Sequence, residues 1–164
     1  MWYLLIVVVI VVLAVGMYNS LVRLRLQVDG AWADIDVQLK RRYDLIPNLV
    51  ETVKGYASHE KGTLEAVVQA RSAAMSAQGP AAKAEAEGAL AGALKSLFAL
   101  SEAYPQLQAA GGFRDLQGAL SEIEEQVAQA RRYYNAVVRD FNTKTETFPS
   151  VLVARAFGFT KREF

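Results

Sequence analysis

The hydrophobic positions divide the chain into an unbroken apolar block followed by a helical rhythm. From Trp2 to Val15 every residue is Trp, Tyr, Leu, Ile, Val or Ala, and no charged side chain occurs between Met1 and Val22. A helix of about 18 to 20 residues spans roughly 27–30 Å, close to the hydrocarbon thickness of a bilayer. Trp2, Tyr3 and Tyr18 mark its two ends, where amphipathic rings prefer the interface. In lipid the backbone has no hydrogen-bond partner but itself, so helix is the expected form even for a Val- and Ile-rich run. The pattern predicts a transmembrane anchor over residues 1–20.

From residue 18 to about 147 the apolar positions recur at steps of three and four, the period of an amphipathic helix. Leu21, Leu24, Val28, Trp32, Ile35 and Leu39 form a first stripe that continues straight out of the anchor. It is predicted to end at Lys40-Arg41-Arg42, since cations favour a helix C-terminus. Asp44 then reads as an N-cap with Pro47 in the following first turn. Leu45, Leu49, Val53, Tyr56, Leu64, Val67 and Val68 form the second stripe, closing at Gln78-Gly79-Pro80.

The third segment sets Leu90, Leu94, Leu97, Phe98 and Leu107 among many alanines. Alanine favours helix but buries little area, which makes this the least firmly held segment. Pro105 is expected to bend or end it, with a turn at Gly111-Gly112. The fourth segment is the most regular: Phe113, Leu116, Leu120, Ile123, Val127, Ala130, Tyr134, Val137 and Phe141 step 3-4-3-4. Its acidic residues come early and its basic ones late, as the helix dipole favours. A seam of this coiled-coil type needs partner helices.

These elements predict an all-α protein: an elongated antiparallel bundle of about four long helices over residues 21–147, the transmembrane helix running into the first of them. Helices of roughly 25 to 35 residues are about 37–52 Å long. An even number of antiparallel helices returns the chain to its starting end, so the tail, residues 148–164, is expected near the membrane. Phe148, Pro149, Val151, Leu152, Phe157, Phe159 and Phe164 make this tail apolar, and Arg155, Lys161 and Arg162 add positive charge. They form the candidate interaction surface. Two readings stay open: the tail covers its own bundle, or it meets lipid headgroups or a neighbouring subunit.

Composition narrows the function. Of the 164 residues, 18 are Lys or Arg and 17 are Asp or Glu, a net charge of +1 that provides no long-range field for nucleic acid. There is no cysteine, which excludes disulfides and thiolate metal sites, and the single histidine excludes a two-histidine metal site. His59-Glu60 begins like a zincin motif but has no second histidine, and a solvated helix residue is the better reading. Asp34 and Asp36 stand two apart and so face away from each other on a helix. Trp32 lies on the apolar stripe and reads as core, and Lys40-Arg41-Arg42 reads as a solvated helix end. Gly79-Pro80 and Gly111-Gly112 read as turns rather than phosphate loops, since neither follows a strand.

Ala14-Val15-Gly16 resembles a signal-peptidase site, but no Lys or Arg precedes the apolar run, which favours a retained anchor. Arg23, Arg25, Lys40, Arg41 and Arg42 all follow the span, and the positive-inside rule places the domain in the cytoplasm, an extracytoplasmic domain being the alternative.

Several stretches carry a recognisable pattern: Tyr18-Asn19-Ser20-Leu21-Val22, the run from Ala31 to Arg42 and the run from Asp44 to Ala57. Tyr134-Asn135, Phe141-Asn142, Phe148-Pro149-Ser150 and Phe157-Gly158-Phe159 extend it. Over nearly its whole length the chain resembles the LemA family. The resemblance implies an anchored, mostly helical bacterial protein, with a magnetosome-associated relative pointing to membrane-organising or scaffolding roles, and it supplies no catalytic residues. Some relatives look like lipoproteins, but this chain lacks the required cysteine.

The expected function is therefore a membrane-anchored, non-enzymatic scaffold, without cofactor, that self-associates or holds other membrane proteins at the lipid bilayer. Membrane shaping by ordered oligomers is the alternative. An enzyme is the third reading, and it lacks the ligand types a metal-dependent hydrolase needs.

Overall fold

A computed structural model describes residues 1–163, and Phe164 lies outside the described residues. Among the described residues all regular structure is helical: α1 (Trp2–Lys54), α2 (Lys61–Ser76), α3 (Pro80–Ser101), α4 (Pro105–Ala109), α5 (Gly111–Glu146) and α6 (Ser150–Ala156). The chain forms two compact units. The first comprises Met1–Ile35 and the chain from Gln129 onward, the second Asp36–Ala128.

In the first unit, the N-terminal part of α1 is laid bare. Its large apolar side chains from Met1 to Val15 are all exposed, Val9 at 49% and Trp2 at 82%. Each such side chain left in water forgoes about 1.5–3 kcal/mol, so the run as a whole disfavours an aqueous setting by roughly tens of kcal/mol. This helix is long and apolar enough to cross a membrane, and it fits a membrane protein. Burial starts at Leu21 and continues with Val28, Ala31 and Ile35, joined by Tyr134, Val137, Val138 and Phe141 of α5. The Trp32 ring lies 5.4 Å from that of Tyr134, and Lys144 Nζ donates to Ser20 Oγ at 2.5 Å. Numbers rise along α5 as they fall along α1, so the two helices are antiparallel here.

The second unit corrects the expected helix boundaries. α1 does not stop at Lys40-Arg41-Arg42. It runs through Asp44, which is no N-cap, and keeps Pro47 inside it, to Lys54. Proline in a helix removes one N–H and strands the carbonyl four residues back, here that of Tyr43. The Arg71 Nε–H donates to this carbonyl at 2.8 Å, so α2 supplies the missing donor. The stripe passes through Ile46, Leu49, Val50 and Val53, all buried, and the break falls later, over Gly55–Glu60. His59 is therefore an exposed turn residue rather than a helical one.

α2 and α3 form a hairpin at Gly79, whose φ of 82° suits glycine, with Pro80 opening α3. α3 ends at Ser101, before Pro105, and Pro105 opens the short α4. Gly111-Gly112 do not form a turn: they are the first residues of α5, and the chain breaks one residue earlier at Ala110, whose ψ of 124° is extended. The seam of α5 buries Phe113, Leu120, Ile123 and Val127 in this unit, with the Phe113 and Phe98 rings 6.1 Å apart.

Candidate functional site

The tail residues divide between surface and core. Phe148 is 77% exposed and joins Pro149 through a cis peptide bond. Pro149 itself is exposed, and Val151 is half-buried. Leu152 and Phe157 are exposed at 57% and 63%. Phe159, by contrast, is buried within its own unit, which removes it from the expected interaction surface. Its ring meets Phe141 at 6.4 Å and Tyr18 at 5.7 Å, and the Arg25 guanidinium lies over it at 4.8 Å. Phe164, also assigned to that surface, lies outside the described residues.

Specific hydrogen bonds set this division. Ser150 Oγ–H donates to the Lys144 and Thr147 carbonyls at 2.7 and 3.0 Å, tying the start of α6 to the end of α5. Gly158, at φ 73°, turns the chain after α6, so that Phe157 points outward and Phe159 inward. Phe157 packs its ring on Tyr18 at 4.9 Å. The chain then runs back along α1, away from the apolar segment. Asn142 grips both sides of Arg162, its Nδ2–H donating to the Arg162 carbonyl at 2.9 Å and its Oδ1 accepting the Arg162 N–H at 2.7 Å. Arg162 reaches Asp29 at 2.7 Å, and the Tyr134 hydroxyl donates to the Glu163 carbonyl at 2.6 Å. Burial pushes the Tyr134 hydroxyl pKa up. Lys161 pairs with Glu146. A shallow recess of about 340 Å³ beside this tie is lined by Leu24, Arg139, Asp140, Thr143, Lys144 and Thr147, among others.

The second unit buries three charged side chains, Arg42, Lys83 and Glu87. Arg42 does not belong to a solvated helix end: it is 4% exposed, while Lys40 and Arg41 beside it are exposed. Arg42 pairs with Glu87 of α3, and the Tyr43 hydroxyl donates to the same carboxylate. Lys83, also buried, donates to the Ala74 carbonyl in the last turn of α2 at 2.8 Å and lies 5.3 Å from the Tyr43 ring centre. Burial and the neighbouring Glu87 carboxylate push the Tyr43 hydroxyl pKa well above its ordinary value. Arg42 is the cation paired with this carboxylate, and its Nε finds no partner among the described residues. The signal was present in the spacing: Ile35, Leu39, Arg42, Ile46, Leu49 and Val53 step 4-3-4-3-4. So do Lys83, Glu87, Leu90, Leu94, Leu97 and Ser101, every one of them buried.

Further along, a groove of about 870 Å³ opens where α1 meets α2, with Val50, Leu64 and Val68 among its lining and Lys54, Lys61 and Glu65 also lining it. Trp32 is half-buried, Asp34 is exposed, and Asp36 pairs with Lys40 at 3.6 Å. Among the described residues no group of three or more His, Asp or Glu side chains is placed to hold a metal ion. The arrangement assembles apolar and cationic surface in the first unit and a buried group of charged side chains in the second.

The chain is similar to several known proteins. Magnetosome protein MamQ 2 of Paramagnetospirillum magneticum is 24% identical over 90% of this chain and 64% of its own length. Magnetosome protein MamQ of Magnetospirillum gryphiswaldense matches to the same extent. Protein LemA of Metamycoplasma hominis is 28% identical over 86% of this chain and 65% of its own. The chain thus spans just under two thirds of the length of these relatives. The model of the LemA family matches residues 31–164, and the chain belongs to the LemA family.

Proposed function

We propose that this protein is a membrane-anchored, non-enzymatic scaffold that self-associates or holds partner membrane proteins beside the bilayer. The observation that carries the reading is α1 itself. One unbroken helix from Trp2 to Lys54 begins as an exposed apolar span and becomes the core-forming strut of a packed module, with no linker between. A module attached in this way is held to the span by a continuous hydrogen-bonded helix, which suits positioning more than reaching. We read α1, α2, α3 and α5 as the four long helices of an antiparallel bundle within the second unit. The basic residues after the span, Arg23 and Arg25 first, favour a cytoplasmic module. The partners on this reading are the bilayer, further copies of the chain and other membrane proteins, without nucleic acid.

A second reading, membrane shaping by ordered assembly, draws support from the likeness to magnetosome proteins. Liposomes carrying the intact protein separate the two: arrays or deformed vesicles are the outcome for shaping, smooth vesicles for scaffolding alone. Crosslinking in membranes followed by sizing in mild detergent tests the scaffold itself. Oligomers or captured membrane proteins are expected, and a strictly monomeric particle without partners contradicts it.

A further inference from the structure

Phe148, Leu152 and Phe157 are exposed apolar side chains of the first unit, one before, one on and one just after α6. The Phe157 ring lies 4.9 Å from that of Tyr18, the last aromatic residue of the apolar run. Lys144 contacts Ser20, and α5 continues past it toward the span for two more residues, about 3 Å of rise. The turn bearing Phe148 therefore comes to the level of Tyr18 as well. Leu152 sits on α6, which joins the two.

We propose that Phe148, Leu152 and Phe157 form a second membrane contact: they insert into the interfacial layer of the same bilayer that the N-terminal part of α1 crosses. This rests on the anchor reading. Given it, the depth of Phe157 follows from geometry, because a side chain touching Tyr18 shares its level in the membrane. Three features name lipid as the occupant. The Phe157 ring packs on Tyr18, where the exposed apolar surface of the span ends. Exposed cations, Arg23 and Arg155, lie close in sequence to Tyr18 and Phe157, suiting an interface with headgroup phosphates. The contact is also braced from behind. Ser150 ties α6 to α5, Phe159 is buried, and Asn142 and Tyr134 hold the chain after Gly158, so the three side chains are presented on an ordered base. The protein thereby holds the membrane at two places, the span and the α6 edge beside it.

The chain has no cysteine, so single-cysteine variants carry a unique label. Phe148→Cys, Leu152→Cys and Phe157→Cys, each labelled with an environment-sensitive fluorophore, are compared with Val9→Cys in the span and Ser121→Cys on exposed α5. The full chain is reconstituted in vesicles of phosphatidylcholine with phosphatidylglycerol. The proposal expects the three tail positions to shift to the blue, to lose quenching by aqueous iodide, and to be quenched by lipids labelled near the headgroup. Val9 is quenched by lipids labelled deep in the chain, and Ser121 stays aqueous. If Val9 reports the deep bilayer while the tail positions remain open to iodide, the proposal is overturned and the anchor stands. If Val9 itself stays aqueous, the anchor reading fails and the proposal with it. Protection of the tail that lipid quenchers do not reach, and that fades as protein is diluted in the vesicles, assigns the patch to a second copy and also overturns it.

Discussion

Around Tyr18 the first unit lines up aromatic rings, Phe157, Tyr18, Phe159 and Phe141 in successive contact. Around Tyr43 the second unit buries Arg42, Lys83 and Glu87 instead. The contrast follows from what each set of helices has to work with. The first unit has large side chains whose interlocking shapes help define one arrangement, with hydrogen bonds from Ser150, Asn142 and Tyr134 holding the chain around them. The second must seat α3, whose alanines bury little area and leave sliding of the helix cheap. A buried ion pair contributes little net stability, but it penalises every register that separates its members. Arg42 and Glu87 fix α3 on α1, while Lys83 fixes it on the end of α2.

The largest effect is expected at Glu87. Glu87→Ala leaves the Arg42 guanidinium buried without its carboxylate and is expected to cost about 3–5 kcal/mol, read as a fall in the denaturation midpoint. Arg42→Met with Glu87→Leu removes both charges and should recover most of that loss. A double variant as unstable as the single one contradicts the role given to the pair. In the first unit, Phe159→Ala should cost roughly 3 kcal/mol, and Phe157→Ala, two residues away, under about 0.5 kcal/mol. Equal effects erase the division between core and surface drawn at Gly158.

Arg71→Ala strands the Tyr43 carbonyl that Pro47 leaves open, and about 1–3 kcal/mol is expected to be lost. With Pro47→Ala, which restores the backbone donor, the same change should cost clearly less, as a double-mutant cycle will report. Arg162→Ala breaks an exposed pair with Asp29 and should cost less than about 1 kcal/mol. The smallest effect under ordinary conditions is on pH. The folded-state pKa of Tyr43 lies above its unfolded value of 10.0, so the unfolded chain releases this proton first. Its contribution is complete below about pH 10 and is lost as pH rises further. Stability followed by thermal melts should fall more gently above pH 10 in Tyr43→Phe than in the parent, leaving the smaller slopes from Tyr104 and Tyr134, both also raised.

The sequence made some of this legible and hid the rest for identifiable reasons. The unbroken apolar run and the periodic 3-4 seam of α5 are both long signals, and both appear as helices, the first exposed and the second mostly buried. The end of α1 was misplaced because Lys40-Arg41-Arg42, Asp44 and Pro47 imitate a helix stop and restart. What overrides those local signals is a tertiary contact, Arg71 on the Tyr43 carbonyl, which no local pattern contains. Arg42 is hidden because a charge run reads as surface, although it falls in step with its apolar stripe, as Glu87 does with its own. Of the tail, the apolar character was plain. Its division between Phe157 and Phe159 depends on the turn at Gly158 and on Asn142, which lies 20 residues from the backbone it holds.

The helical module is proposed to gather copies or partners at a membrane. The most direct test is crosslinking of the intact protein in its native membrane, followed by extraction in mild detergent and determination of particle mass and composition. The account predicts a particle heavier than one chain, composed of repeated copies or of this chain with other membrane proteins. A single uncrosslinked chain, recovered across a range of expression levels, contradicts it.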